Sequence, residues 1–280
     1  AFRKCVDNGV YGIELDIQQC KSGELVVIHD EDLKRTTDGD GFVKDKTFAE
    51  ISKLDSGSWF DKQYKDEKIP QLSDVLKLLD GKVVLNIEIK NTPIAYPGIE
   101  DELLKVLKDY PHPETIIISS FDHEVLKRLH DKSSKYAIAL LGDPILCDVG
   151  NYAKQMGATA WHPYYGSMRK DVIDAAHKGS LKVNVWTPNK ESEWQSLVSQ
   201  GVDGIVTDDV AYLTPADDKK FILAPPDAKV DGNKILGPHV YARRGESFFN
   251  AKPEDVDYIG ISPQGFFSVG SSLIPFLEHD

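Results

Sequence analysis

A TIM-type (β/α)8 barrel is the fold class the sequence predicts, on three observations. Short β-branched runs alternate with amphipathic helical segments from the start to about residue 213, the pattern of βα units around a parallel sheet. A length of 280 residues accommodates one such barrel of about 250 residues as well as two ordinary domains, so length permits the fold and the other observations choose it. Acidic and basic side chains also sit at alternate positions near the carboxyl ends of strand-like runs, where barrels of this class build their sites.

In chain order, "AFRKCVDNGV" reads as the middle of a helix, so a first strand is expected upstream of Ala1 and seven parallel strands follow it. They are "YGIELDI", "KVVLNIEIK", "TIIISSF", "YAIALLG", "ATAWHPYY", "KVNVWTP" and "DGIVTDD". Helices are predicted for "LSDVLKLLD", "EDELLKVLKDY", "DHEVLKRLHDK", "MRKDVIDAAHKG" and "KESEWQSLVSQ", with "VGNYAKQMG" a shorter one. "ELVVIHD" is strand-like too, but a parallel crossover needs a dozen or more residues, so this run must return as an antiparallel hairpin. A two-residue Ser22-Gly23 loop would place His29 opposite Asp16. The barrel is expected over residues 1–216, with "PADDKKFILAPPDAKVDGNK" supplying a linker over 217–235. In the tail, 236–280, "VDYIGISPQ…LIPFLEHD" echoes "VYGIELDIQ…LVVIHD" and suggests a truncated, degenerate internal repeat in which Gly260 and Ser262 replace the acids.

Composition narrows the function. With 45 acidic against 33 basic side chains the net charge is -12, which argues against broad attraction to nucleic acid or anionic lipid. No apolar run reaches the roughly 18 residues a membrane span requires, so a soluble chain is expected, with a periplasmic or secreted setting slightly favoured over a cytoplasmic one. Cys5, Cys20 and Cys147 are too few and scattered for a disulfide framework or zinc site and read as ordinary buried thiols.

The chemistry concentrates on two strands. Side chains alternate by two along a strand, so Glu14 and Asp16 share one face, and Asn86, Glu88 and Lys90 share another. Carboxylates gathered at one rim repel unless protonated or bridged, and hard oxygen donors select one divalent cation such as calcium, magnesium or manganese over zinc. Lys90 can hold a phosphate beside it, and His29 is a proton-transfer candidate. A lone strand glutamate is more often a salt-bridged interior residue, and a lone histidine at a hairpin end more often a local hydrogen-bonding group; only their convergence favours function. Trp186 and Phe121 suit a substrate wall, although an aromatic in a barrel core is as ordinary; His162 reads the same way. Thr207 and Asp208 end the last strand, where Asp208 suits a helix cap, and Arg35 in "RTTDGDG" can reach an anion.

Together "GIELDIQQCKSGELVVIHDEDLKRTTDGDGFVKD", "IPQLSDVL", "LNIEIK", "ISSFD", "VNVWTPN" and "GVDGIVTDD" closely resemble the glycerophosphodiester phosphodiesterases over residues 1 to 213. The resemblance implies a small insertion at about residues 31–68. It also implies a divalent metal, calcium or magnesium, on Glu14, Asp16 and Glu88, with His29 as a catalytic histidine and Lys90 at the phosphate. The implied reaction is metal-dependent hydrolysis of a small glycerophosphodiester to glycerol 3-phosphate and an alcohol. Family members open with a His-Arg-Gly strand that supplies a first catalytic histidine, and this chain starts just after that point; in the tail, Arg243-Arg244-Gly245 stands where that motif would. A non-catalytic barrel that keeps metal and phosphate binding is therefore the alternative, and a metal-free glycosidase with paired carboxylates is a third reading. Oligomeric state has no signature in the sequence.

Overall fold

A computed structural model describes residues 1–7, 10–208 and four short strands between 221 and 242. Compact packing divides the described residues into two units, one built on Glu14–Leu141 and the other on Lys4–Ile13 with the described residues that follow Leu141.

In the first unit, β1 (Gly12–Gln19) and β2 (Leu25–Val27) form the expected hairpin, and β3 (Val84–Ile89), β4 (Ile116–Ser120) and β5 (Ala137–Gly142) follow it in the order β2-β1-β3-β4-β5. The β3–β4 and β4–β5 ladders are parallel, with Glu88 level with Ser119 and Ser119 level with Ala139. In the second unit β6 (Ala160–Pro163), β7 (Lys182–Trp186) and β8 (Gly204–Val206) are again parallel neighbours. Helices stand where the periodicity placed them, with one short addition at Phe48–Ile51. They are α1 (Phe2–Asp7), α2 (Phe48–Ile51), α3 (Leu72–Leu79), α4 (Ile99–Leu107), α5 (His123–Lys132), α6 (Val149–Met156), α7 (Lys170–Lys178) and α8 (Glu191–Gln200). This alternation is the βα-repeat architecture of the TIM-type barrel class.

The helices form because their apolar residues recur on one face. In α3, Leu72, Val75, Leu76 and Leu79 are buried at i, i+3, i+4 and i+7. Asp122 starts α5 by accepting hydrogen bonds from the Glu124 and Val125 N–H groups, satisfying donors that a helix start leaves unpaired. The segment after His29 has a small core of its own, in which Leu33, Val43, Ile51 and Ile69 pack with Cys20, Val26 and Ile28 from the hairpin.

Two sequence expectations need correction. The hairpin pairs Ile17 with Val27 and Gln19 with Leu25, so Asp16 lies level with Ile28, whose N–H donates to the Asp16 carbonyl at 3.1 Å. His29 is thus one residue out of the expected register. The cause is the turn, in which Cys20 bonds Glu24 across a three-residue loop and Gly23 takes φ +102°, a left-handed conformation that a side chain disfavours. Cys147 is exposed, whereas Cys5 and Cys20 are buried and burial pushes the Cys20 thiol up to about 12.

Beyond residue 208, β9 (Phe221–Leu223) pairs with β12 (Val240–Ala242), and β10 (Lys229–Asp231) with β11 (Lys234–Leu236), all antiparallel. These strands fall partly within the stretch expected as a linker. Arg243-Arg244-Gly245, Gly260, Ser262 and His279-Asp280, which carried the reading of a degenerate repeat, lie outside the described residues. Among the described residues no helix is long and apolar enough to cross a membrane.

Candidate active site

β1 and β3 bring the acids together. The Lys90 N–H donates to the Ile17 carbonyl at 3.1 Å, fixing the end of β3 beside β1. Alternation then aims Glu14 and Asp16 from one strand and Glu88 from the other at a common point. One oxygen from each carboxylate lies within 4.8 Å of the others, and Asp16 is only 2% exposed, Glu88 7% and Glu14 9%.

Lys90 lies across two of them, its Nζ 2.6 Å from Glu88 and 3.1 Å from Asp16. Burial opposes its charge, but the two carboxylates outweigh that effect and hold the ammonium firmly protonated, above its usual value. One lysine cannot balance three buried acids. Burial, followed by the nearby Asp16 charge, pushes the Glu88 carboxyl up to about 8. A cluster that forces a proton onto one of its carboxyls while presenting converging oxygen donors is short of positive charge, and so fits a hard divalent cation.

Next along the same face of β1 stands Gln18, which sequence reasoning passed over although it is the next alternate position. It is 1% exposed, donates to the His29 carbonyl at 2.9 Å and accepts from the Tyr96 hydroxyl at 2.7 Å. Tyr96 follows β3, and its N–H donates to Asn91 Oδ1, while Asn91 Nδ2 donates to Asp122 at the start of α5. The backbone of His29 is therefore tied to the acid-bearing face of β1 and, through it, to the loop after Lys90. The His29 side chain is about half exposed and its Nδ1 lies 2.7 Å from Asp30 Oδ1. The other sequence candidates divide. Phe121 is 40% exposed at the end of β4. Trp186, in the second unit, donates from Nε1 to the His162 carbonyl and its ring centre is 5.5 Å from that of Tyr164. His162 is fully buried against Asn184, and burial pushes it down to about 3, so it stays neutral in the core. Asp208 accepts from the Asn189 side chain, and Arg35 is turned onto Asp30.

Sequence and fold comparisons identify the family. The chain matches the glycerophosphoryl diester phosphodiesterase family over residues 1–212. A glycerophosphodiester phosphodiesterase of Caldanaerobacter subterraneus is 41% identical over 214 residues, covering 76% of this chain and 88% of that protein. Among solved structures, an Oleispira antarctica phosphodiesterase in complex with the product sn-glycerol-3-phosphate superposes with a TM-score of 0.68 at 26% identity, over 74% of this chain and 84% of that one. Residues 198–262 also match the RNA polymerase beta subunit external 1 domain, and a stretch of 79 residues is 40% identical to the Thermus thermophilus RNA polymerase subunit beta, 28% of this chain and 7% of that subunit. With a family match spanning most of its length and a close enzyme relative, the chain belongs to the glycerophosphoryl diester phosphodiesterase family and is a phosphodiesterase of the TIM-barrel class.

Proposed function

We propose that the chain hydrolyses glycerophosphodiesters to glycerol 3-phosphate and an alcohol with one divalent cation, calcium or magnesium, on Glu14, Asp16 and Glu88. The observation that carries this reading is the buried three-carboxylate cluster with a single lysine, in which burial and then the Asp16 charge push the Glu88 carboxyl up to about 8. The product named in the Oleispira antarctica structure supports the same substrate class. Such a cation, when bound, supplies Lewis-acid polarisation of the phosphoryl oxygens and of an attacking hydroxyl.

The chain's own groups account for the rest. Lys90, placed beside Asp16 and Glu88, would hold a phosphate oxygen in the same dry corner, where a fixed ammonium is worth more than in water. As the attacking hydroxyl gives its proton to solvent and its oxygen bonds to phosphorus, the bond from phosphorus to the leaving oxygen breaks, and His29 in its doubly protonated form donates the Nε2 proton to that oxygen, releasing a neutral alcohol; where the attacking group is the substrate's own glycerol hydroxyl, water then opens the cyclic phosphate to glycerol 3-phosphate. Phe121 offers an apolar face to the organic part of the substrate. Turnover of glycerophosphocholine with added calcium or magnesium tests the reading. Loss of activity in excess chelator, recovery on adding metal and no recovery in Glu88→Gln are expected; full activity in chelator rejects the cation.

The domain boundaries follow. We propose that residues 1–216 form the catalytic barrel, with about 31–68 as its insertion. The match of residues 198–262 to the RNA polymerase beta subunit external 1 domain supports a second reading of the tail, a polymerase-type segment, beside that of a degenerate repeat.

A further inference from the structure

His29 is the neighbour of a charge relay that the reaction scheme above leaves unused. Asp30 Oδ1 lies 2.7 Å from His29 Nδ1, and the same carboxylate takes both Nε and Nη2 of Arg35, the latter at 2.7 Å. The guanidinium in turn lies 6.0 Å from the ring centre of Trp59, whose indole N–H is fixed on the Ser56 carbonyl at 2.9 Å. Arg35 sits on a braced loop: Leu33 N–H bonds Gly41, Val43 N–H bonds Glu31 and Thr37 Oγ1 bonds Leu33. The two-pronged grip of a guanidinium on a carboxylate fixes direction as well as charge.

We propose that Asp30 and Arg35 are positioning residues that decide which nitrogen of His29 exchanges the proton, and that the insertion, through Arg35 and Trp59, sets how readily it does so. The proposal rests on the proton-transfer role given to His29. An ionised carboxylate only accepts hydrogen bonds, so the nitrogen facing Asp30 must carry a hydrogen and the neutral ring keeps Nε2 bare. The Arg35 hydrogen bonds hold the Asp30 carboxyl down at about 2, so this state persists at any working pH. Arg35, bonded to both oxygens of the same carboxylate, takes up part of the negative charge that Asp30 turns towards His29. The other charged groups on the elements joined to this pair are Glu31 and Asp32 on its own loop and, on β1, Asp16, whose carbonyl takes the Ile28 N–H; all are unchanged in the variants below.

The test is an imidazole 15N titration of the full chain, with His29 assigned through His29→Gln, run beside kcat and KM measurements. Neutral His29 is expected as the Nδ1–H tautomer. Asp30→Asn should mix in the Nε2–H tautomer and move the His29 titration midpoint to lower pH. Arg35→Gln should keep the tautomer and move the midpoint to higher pH, with Arg35→Lys between it and the parent. In turnover, both Asp30→Asn and Arg35→Gln should lower kcat about tenfold or more with KM little changed, and displace the pH profile in opposite directions. A neutral Nε2–H His29 in the parent protein, or midpoints that move together in the two variants, overturns the inference. The expected tautomer and opposed midpoints in a protein that turns over no diester would uphold the relay and reject the function assigned to it.

Discussion

Glu88 is the residue on which the electrostatics of the site turn. Its carboxyl lies at about 8 in the folded chain, against roughly 4.3 for a free glutamate, because burial and then Asp16 disfavour the anion. Between those values the folded protein holds a proton that the unfolded chain has released, so the stability of the metal-free protein falls as pH rises through that window. A cation must displace the proton, so its affinity rises up to tenfold per pH unit and levels off above about 8. Thermal melts in chelator at pH 6 and pH 8.5 should show a lower midpoint at the higher pH, and saturating calcium should reverse that order. In Glu88→Gln both pH effects should disappear, because the amide carries no titrating proton. Lys90→Met would leave Asp16 and Glu88 without their ammonium; the metal-free protein should lose stability by roughly 3 kcal/mol in urea melts, the usual penalty for stranding a buried charge.

Among the elements, the β1–β2 hairpin controls which side chain stands where, and its turn depends on Gly23. No atom lies within 4 Å of a Cβ built there, so Gly23→Ala meets only the backbone penalty of φ +102°. A loss of about 1 kcal/mol is expected, and less for Gly23→Asn, since asparagine tolerates left-handed backbone. The approach of α6 to the end of α7 is a different case. A Cβ on Gly179 would fall 2.6 Å from the Gly150 Cα, a backbone atom that cannot swing aside. Gly179→Ala should therefore exceed the Gly23→Ala loss, at about 1–3 kcal/mol. If denaturant midpoints for the two alanine variants coincide, close packing of these helices is not what Gly179 provides.

On the scale of the whole molecule, each unit has its own anchor. Around Asp16, Glu88 and Lys90 the first unit places charge where chemistry needs it; in the second, Asp203 serves packing. It is 3% exposed and takes His177 Nε2 at 2.7 Å, Lys182 Nζ at 3.0 Å and the Val183 N–H at 2.8 Å, joining α7, β7 and the start of β8. Asp203→Ala would strand the Val183 N–H and should lower stability by about 2–3 kcal/mol. Faster hydrogen exchange of the β6–β8 amides checks it, and unchanged exchange there would show that the carboxylate is dispensable. The net charge of -12 belongs to this scale too, and predicts weak binding to duplex DNA even at low salt despite the polymerase-like tail.

Strand and helix positions were legible in the sequence because their signals are local. Alternation by two identifies faces on β1 and β3 without reference to any partner, and so grouped Glu14 with Asp16 and Glu88 with Lys90 before any neighbour was known. Register is not local in that sense: the three-residue turn at Gly23 moved His29 one place, and a shift of one residue exchanges which side chains face each other. The Tyr96 to Gln18 hydrogen bond joins positions 78 residues apart, and the turning of Arg35 onto Asp30 depends on a loop folded over its own small core. Residue type and spacing thus determined which groups this phosphodiesterase could bring to its site; tertiary packing decided which of them meet, because hydrogen bonds and buried charges respond to distances that only the folded chain sets.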